Sequence, residues 1–187
     1  MIEIVRYKPE WPGEFLALGA AIRGCLGDRA IAIHHIGSTS VPDLEAKDVI
    51  DIQLTVKDLF TFPLEQLLTV GFTGTGKLRD DHCPPGMTLD SRELTKYIYG
   101  YCGRRTHLHV REQSRFNQRY PLLCRDYLRA HPLAARAYGE IKRQLAGYFP
   151  ENVDAYYDIK DPVFDVLMAG AEDWAVFTNW SVPPTDA

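Results

Sequence analysis

The sequence is poor in several features that would narrow its function at once. Its four cysteines, Cys25, Cys83, Cys102 and Cys124, lie far apart and form no CxxC pair. That spacing excludes a thiol-based zinc or redox motif and predicts buried, reduced thiols. No basic run exceeds two residues, as at Arg104-Arg105, and the net charge is −4. Such a balance lacks the electrostatic footprint of a nucleic-acid binder. No stretch reaches the roughly 18 consecutive apolar residues of a membrane span. The start, MIEIVRYKPEW, carries no apolar core of a signal peptide. A cytoplasmic protein with neither membrane nor nucleic acid as partner is the expectation. The P-loop pattern GxxxxGK[ST] is absent, as are internal repeats and low-complexity tracts.

What is present reads as one domain, since 187 residues with 45% hydrophobic content can bury a proper core. The periodicity predicts a short strand over 2–7, a helix over 14–26 and a strand over 30–36. A second strand is expected over 49–56 and a helix over 58–70, capped by Asp58 and ended by Gly71. Residues 74–92 are rich in Gly, Pro and Asp and read as loop or irregular hairpin. Two strands, 96–101 and 106–112, flank the turn Gly103-Arg104-Arg105. From Pro121 the period becomes helical. A helix opens at Pro132 with an apolar stripe of Ala134, Ala137, Tyr138, Ile141 and Leu145. A third begins near Asn152 or Asp154, and Pro162 should kink it. The fold class is α+β: a mixed-sheet core over 1–113, a helical lobe over 114–175 and a loose tail over 176–187. The tyrosines 97, 99 and 101 alternate on one strand and are expected to pack under the helical lobe.

The stretch 34–56, HHIGSTSVPDLEAKDVIDIQLTV, carries most of the chemistry. Gly37-Ser38-Thr39-Ser40 ends a strand. Glycine lets a ligand approach the backbone, and the hydroxyls add donors, so such a turn can hold a phosphate. A plain strand-ending turn is the simpler alternative. On the next strand Asp51 and Gln53 share one face, and Ile50, Ile52 and Leu54 the other. An aspartate among isoleucines needs a partner, either Mg²⁺ facing a bound triphosphate or backbone amides. Lys47, between the turn and that strand, can meet a phosphate or stand in solvent. His107, His109 and Arg111 alternate on one strand face. His109 can bind phosphate, act as general base or ligate a metal. Of His34 and His35 only one can face a site. Tyr156 and Lys160 share one helix face, as do Arg125 and Arg129.

The motifs Tyr-x-Pro-x-Trp at 7–11, His-Ile-Gly-Ser-Thr-Ser-Val-Pro at 35–42, Ala-Lys at 46–47 and Ile-Asp-Ile at 50–52 occur in this order. His-Leu-His-Val at 107–110, Arg-Asp-Tyr-Leu-Arg at 125–129, and Tyr156 with Lys160 follow. Together they resemble the GrpB family, over nearly all of the chain from Tyr7 to about Trp174. The resemblance implies a fold similar to nucleotidyltransferases, in which a Gly-Ser turn binds a triphosphate and paired carboxylates bind two metal ions. It makes Asp51 the metal ligand and, with His109, the catalytic pair. It assigns Gly37, Ser38, Thr39, Ser40, His35, Lys47, His107, Arg125, Tyr156 and Lys160 to ligand binding, and Mg²⁺ to the cofactor role. Gln53 departs from the pattern where the second carboxylate should stand, with Glu112 and Asp90 as candidates to replace it. The ligand implied is a nucleotide or another small phosphorylated metabolite, with nucleotidyl transfer to a small acceptor as the reaction. The family's fusions to dephospho-CoA kinase imply an alternative: a non-catalytic binding or accessory domain acting beside a protein partner.

Overall fold

The computed structural model of the chain describes every residue except Leu64, and all side chains except those of residue 64 and residues 75–77. Five strands form one sheet: β1 (Ala32–Ile36), β2 (Ile50–Val56), β3 (Phe72–Asp80), β4 (Thr95–Tyr101) and β5 (Thr106–Glu112). Their order across the sheet is β1-β2-β5-β4-β3. Only β2 and β5 run parallel, and the other pairs are antiparallel. The helices are α1 (Trp11–Leu26), the short α2 (Glu65–Leu68), α3 (Phe116–Ala130), α4 (Pro132–Tyr148) and α5 (Val153–Thr178). This is the expected α+β arrangement.

Alternation along β2 and β5 divides the sheet into two chemically different faces. Ile50, Ile52 and Leu54 with Leu108 and Val110 pack in one core with Trp11, Phe15, Leu18 and Ile22 of α1. Each such side chain stabilises the fold by about 1.5–3 kcal/mol on leaving water. The opposite face carries Asp51, Gln53, His107, His109 and Arg111. A second core, of Leu123, Leu128, Tyr138, Met168 and Ala171 with Val41 and Leu44, holds α3, α4 and α5 together. The polar sheet face therefore looks toward the helical elements, and a cavity lies between them.

Several expectations need correction. Residues 2–7 form one isolated bridge, Val5 to Ala46, rather than a strand. Asp58 accepts from the Phe60 amide in a tight turn, and Pro63, with no N–H to give, stands just before a helical turn of only four residues. Leu64, inside the expected helix, lies outside the described residues. The loop read over 74–92 begins as strand β3, whose register shifts between Thr73 and Lys77. α3 begins before Pro121 and passes through it, and α5 likewise runs on through Pro162. In α4 the buried face holds Tyr138, Lys142 and Leu145, while Ala137 and Ile141 are exposed. Tyr97, Tyr99 and Tyr101 pack on the α1 side of the sheet, not under the helical lobe. Cys102 is exposed, and Cys124 is the one fully buried thiol.

The tail is not loose. It runs along the free edge of β1, where an unpaired strand would expose its amides and carbonyls. The Asp186 amide donates to the Ile33 carbonyl (2.9 Å), and the Ile33 amide donates to Thr185 Oγ1 (2.9 Å). Asp186 Oδ2 accepts from the His35 amide (3.0 Å) and from Arg125 Nη1 (2.7 Å). Arg125 is almost fully buried, so Asp186 neutralises a charge that water cannot reach. Asp186→Ala is expected to destabilise the protein by about 2 kcal/mol, below the usual range for a broken buried pair because Asp126 still holds Arg125. Urea denaturation of the two proteins checks this.

Candidate functional site

The cavity has a volume of about 430 Å³, inside the range of roughly 300–1,000 Å³ typical of small-molecule sites. Its floor is the polar face of β2 and β5. In the parallel register Asp51 pairs with His107 and Gln53 with His109. His107 Nδ1 stands 3.2 Å and His109 Nε2 3.8 Å from the same oxygen, Asp51 Oδ1. The three side chains each offer a ligand atom, and these atoms lie within 4.8 Å of one another. Burial alone would raise the Asp51 carboxyl, but the hydrogen bond from His107 and the neighbouring His109 imidazole outweigh it and hold the group well below the usual carboxylate range. Burial pushes His109 down to about 4, with Asp51 opposing only in part. Its imidazole is therefore neutral at pH 7. That makes it a good metal ligand and a weak general base.

The turn after β1 closes over Asp51. Gly37 has φ +71° and ψ −176°, a conformation that only glycine adopts without strain. A Cβ there would fall 2.5 Å from Asp51 Oδ2. Ser38–Ser40 make a single 3-10 turn whose Ser40 and Val41 amides are used internally. A helix dipole therefore adds little here. The positive charge comes instead from α4: Lys142 Nζ donates to Ser38 Oγ (2.9 Å) and to the Glu45 carbonyl (2.5 Å). Lys142 is 3% exposed and has no carboxylate partner among the described residues. Burial, helped by the nearby charges of Lys160 and Lys47 and opposed by Glu45, pushes its ammonium down to about 7.

Other predicted residues divide into two groups. Lys47, Tyr156 and Lys160 line the cavity beside Gly37, Ser38 and Thr39. Lys47 Nζ donates to Tyr157 Oη (2.5 Å) and lies over that ring. Lys160 pairs with Asp161 (2.7 Å). The Tyr156 hydroxyl is buried with no partner among the described residues, and burial raises its pKa. Thr39 Oγ1 donates to the Val49 carbonyl. In the second group, His35 does not reach the cavity. It stacks on Phe15 at 4.8 Å, and its Nε2 must carry the proton given to Thr39 Oγ1. His34 is also buried and faces the tail carbonyls of Pro183 and Pro184. Neither histidine of β1 is therefore placed to touch a ligand. Ser40 turns away, its Oγ donating to the Gly37 carbonyl (2.6 Å). Arg125 touches the cavity wall, but its guanidinium is taken up by Asp126, Asp186 and the His35 carbonyl.

The position of the missing carboxylate is also resolved. Gln53 is fully buried; its Nε2 donates to the Gln118 carbonyl and its Oε1 accepts from Arg111. Neither Glu112 nor Asp90 takes its place. Glu112 is held by Arg92 and Arg115, and Asp90 caps a turn through the Arg92 amide. Besides Asp51, the carboxylates of Asp80, Asp81 and Asp161 line the cavity, and Asp81, which sequence reasoning passed over, is the one held by the floor's own cations. It is bound by Arg111 (2.8 Å) and by Lys96. Thus a two-magnesium site of paired carboxylates does not fit these residues: Asp51 has imidazoles beside it, and Asp81 is neutralised by two cations. Tyr-x-Pro-x-Trp serves packing. Trp11 is fully buried and its indole donates to Asp48 Oδ1 (2.8 Å).

Among the described residues no helix is long and apolar enough to cross a membrane. A family model described as GrpB protein matches residues 1–169. The chain is 32% identical over 195 residues to a dephospho-CoA kinase of Mycolicibacterium paratuberculosis, covering 96% of this chain and 48% of that protein. It is 32% identical over 176 residues to the UPF0157 protein YqkA of Bacillus subtilis, covering 92% of this chain and 48% of that one. It thus spans about half the length of these curated relatives. A UPF0157 protein of Pseudomonas aeruginosa is 36% identical over 175 residues, 91% of this chain and 67% of that one. Among solved structures, that of the conserved protein GrpB from Enterococcus faecalis superposes with a TM-score of 0.75 at 27% identity, covering 92% of this chain and 99% of that one. Sequence, fold and the ordered motifs agree, and the chain belongs to the GrpB family.

Proposed function

We propose that this protein binds a nucleoside triphosphate or a related phosphorylated metabolite in the cavity between its sheet and its helical lobe. The observation that carries the reading is Lys142: a buried ammonium at the Gly37-Ser38 turn whose partners among the described residues are two neutral oxygens and the Tyr138 ring, with no carboxylate. A buried charge without a counter-ion is costly, and a phosphate oxygen at this point would compensate it. Lys47 adds charge on the same wall, where Lys160 is paired with Asp161, and the Tyr156 hydroxyl offers a further hydrogen bond. Tyr157, partly exposed at the rim, supplies an aromatic face on which a base can stack. The kinship with proteins named dephospho-CoA kinase favours an adenine nucleotide or a coenzyme A precursor within this class. Nucleotidyl transfer is the second reading, favoured by the ionised Asp51 beside the turn. His109 is then an orienting group and not the base.

Binding should depend on pH through Lys142. The ammonium is charged below about pH 7 in the free protein, and a bound anion raises that value. Affinity is therefore flat below 7 and falls by up to about tenfold per pH unit above it, until the pKa of the complex is reached. Calorimetric titrations with ATP, GTP, CTP, UTP and inorganic triphosphate across this range test the proposal. Binding of none of them, or binding that strengthens above pH 7, would overturn it.

A further inference from the structure

We infer that Asp51, His107 and His109 form a mononuclear site for a first-row transition-metal dication of the zinc and cobalt class, open toward the cavity. Two ligands are imidazoles and one is a carboxylate. That donor set suits Zn²⁺, Co²⁺ or Fe²⁺, whereas Mg²⁺ prefers oxygen ligands in a strict octahedron. The spacing fits for Asp51 with His107, and His109 needs to close by about half an ångström. Ligand atoms about 2.1 Å from one metal stand roughly 3.0–3.4 Å from each other. Asp51 Oδ1 is already 3.2 Å from His107 Nδ1 and 3.8 Å from His109 Nε2.

The surroundings pre-organise this triad. The parallel register of β2 with β5 sets His107 directly beside Asp51, and the two rings stand at 88° to each other, 6.3 Å apart. Gly37 packs against Asp51 Oδ2 from the other side, leaving Oδ1 for the histidines. Arg111 and Lys96, the cations nearest this floor, are both paired with Asp81, so the triad keeps its own negative charge. All three ligands line the cavity, so the remaining coordination positions open into it. A site with three protein ligands and open positions is of the reactive kind, since structural zinc sites are closed by four. Gln53 explains the change of metal class. With a neutral amide locked onto Arg111, the histidines, and not a second carboxylate, complete the set. The inference stands apart from phosphate binding, because the metal ligands and Lys142 lie on different elements.

The test is a titration of the chelator-treated full chain with Co²⁺, in the absence of any phosphate compound. One equivalent is expected to bind and to show the visible d–d absorption of an imidazole-bound ion. Zn²⁺ should displace it and excess Mg²⁺ should not. His107→Ala and Asp51→Asn are each expected to weaken binding by about 100-fold or more. The His107 side chain is 45% exposed, so its loss leaves the fold intact, which thermal unfolding verifies. Unchanged Co²⁺ affinity in both variants, displacement by Mg²⁺ at comparable concentration, or no bound Co²⁺ would each overturn the inference. Failure here with intact triphosphate binding would leave the phosphate proposal standing, and the reverse outcome would leave the metal site standing.

Discussion

Lys142→Met is expected to give a protein that is more stable than the parent and unable to bind a phosphate ligand. The two effects have one cause. Lys142 is buried, held among the described residues by two neutral oxygens and the Tyr138 ring, and its ammonium is pushed from 10.5 down to about 7. Its folded pKa lies below its unfolded one, so the unfolded chain binds the extra proton between pH 7 and 10.5. Stability contributed through this group therefore rises with pH across that window and is at its lowest below 7. A displacement of this size corresponds to a penalty on the order of 4 kcal/mol at neutral pH. Methionine fills a similar volume without charge, so it removes the penalty and keeps the contacts with Tyr138. Thermal unfolding should shift upward by roughly 2–4 °C for each kcal/mol recovered. Triphosphate affinity should fall by about 100-fold, the loss of a charge-assisted contact in a desolvated place. A residue kept purely for structure would not show this opposition. A variant that is less stable, or one that still binds triphosphate, contradicts the role given to Lys142.

Gly37→Ala should act in the opposite direction on stability and to the same end on the site. Gly37 sits at φ +71° with extended ψ, and an added Cβ meets Asp51 Oδ2 at 2.5 Å. Backbone strain in such a region costs about 1–3 kcal/mol. Forcing a methyl against a held carboxylate adds about 1–3 kcal/mol more. A total destabilisation of about 2–6 kcal/mol is expected in urea denaturation. The obstruction is directed at the carboxylate that the histidines share, so Co²⁺ binding should weaken as well. Gly13→Ala serves as the control, because a Cβ there meets nothing within 4 Å. It should leave Co²⁺ binding unchanged and, as a glycine-to-alanine change inside helix α1, raise stability by up to about 1 kcal/mol. Equal effects of the two substitutions would contradict the account of the turn.

Much of this site could be read from the sequence, for a physical reason. Period-two alternation needs only local geometry, so Asp51 and Gln53 on one face and His107, His109 and Arg111 on another followed directly from β2 and β5. The Gly-Ser turn was visible as a turn because glycine at a strand end supplies positive φ, and it was the motif around it that singled it out from a plain strand ending. Contacts made across the chain were not visible. His35 belongs to the family motif, yet it packs on Phe15, because which face of β1 meets α1 is decided by tertiary packing. Lys142 was hidden by a small error of helical phase. A stripe through Ile141 leaves Lys142 outside, whereas the true buried face of α4 runs Tyr138, Lys142, Leu145. The signal available was a lysine on the apolar side of a helix. Asp81 was hidden because β3 is interrupted by Gly74 and its register shift. Asp186 was missed because a Pro-rich terminal segment reads as loose, while here it covers the free edge of β1 and meets a buried arginine.

Proton exchange on binding tests the central claim most directly. ATP, whose terminal phosphate is fully ionised there, would be titrated into the protein by calorimetry near pH 8, about one unit above the free Lys142 value, in two buffers of different ionisation enthalpy. Under these conditions Lys142 is mostly neutral before binding and charged after it. The account predicts uptake of close to one proton from the buffer, abolished in Lys142→Met. Triphosphate binding with no proton uptake, or with uptake unchanged in the variant, would contradict it.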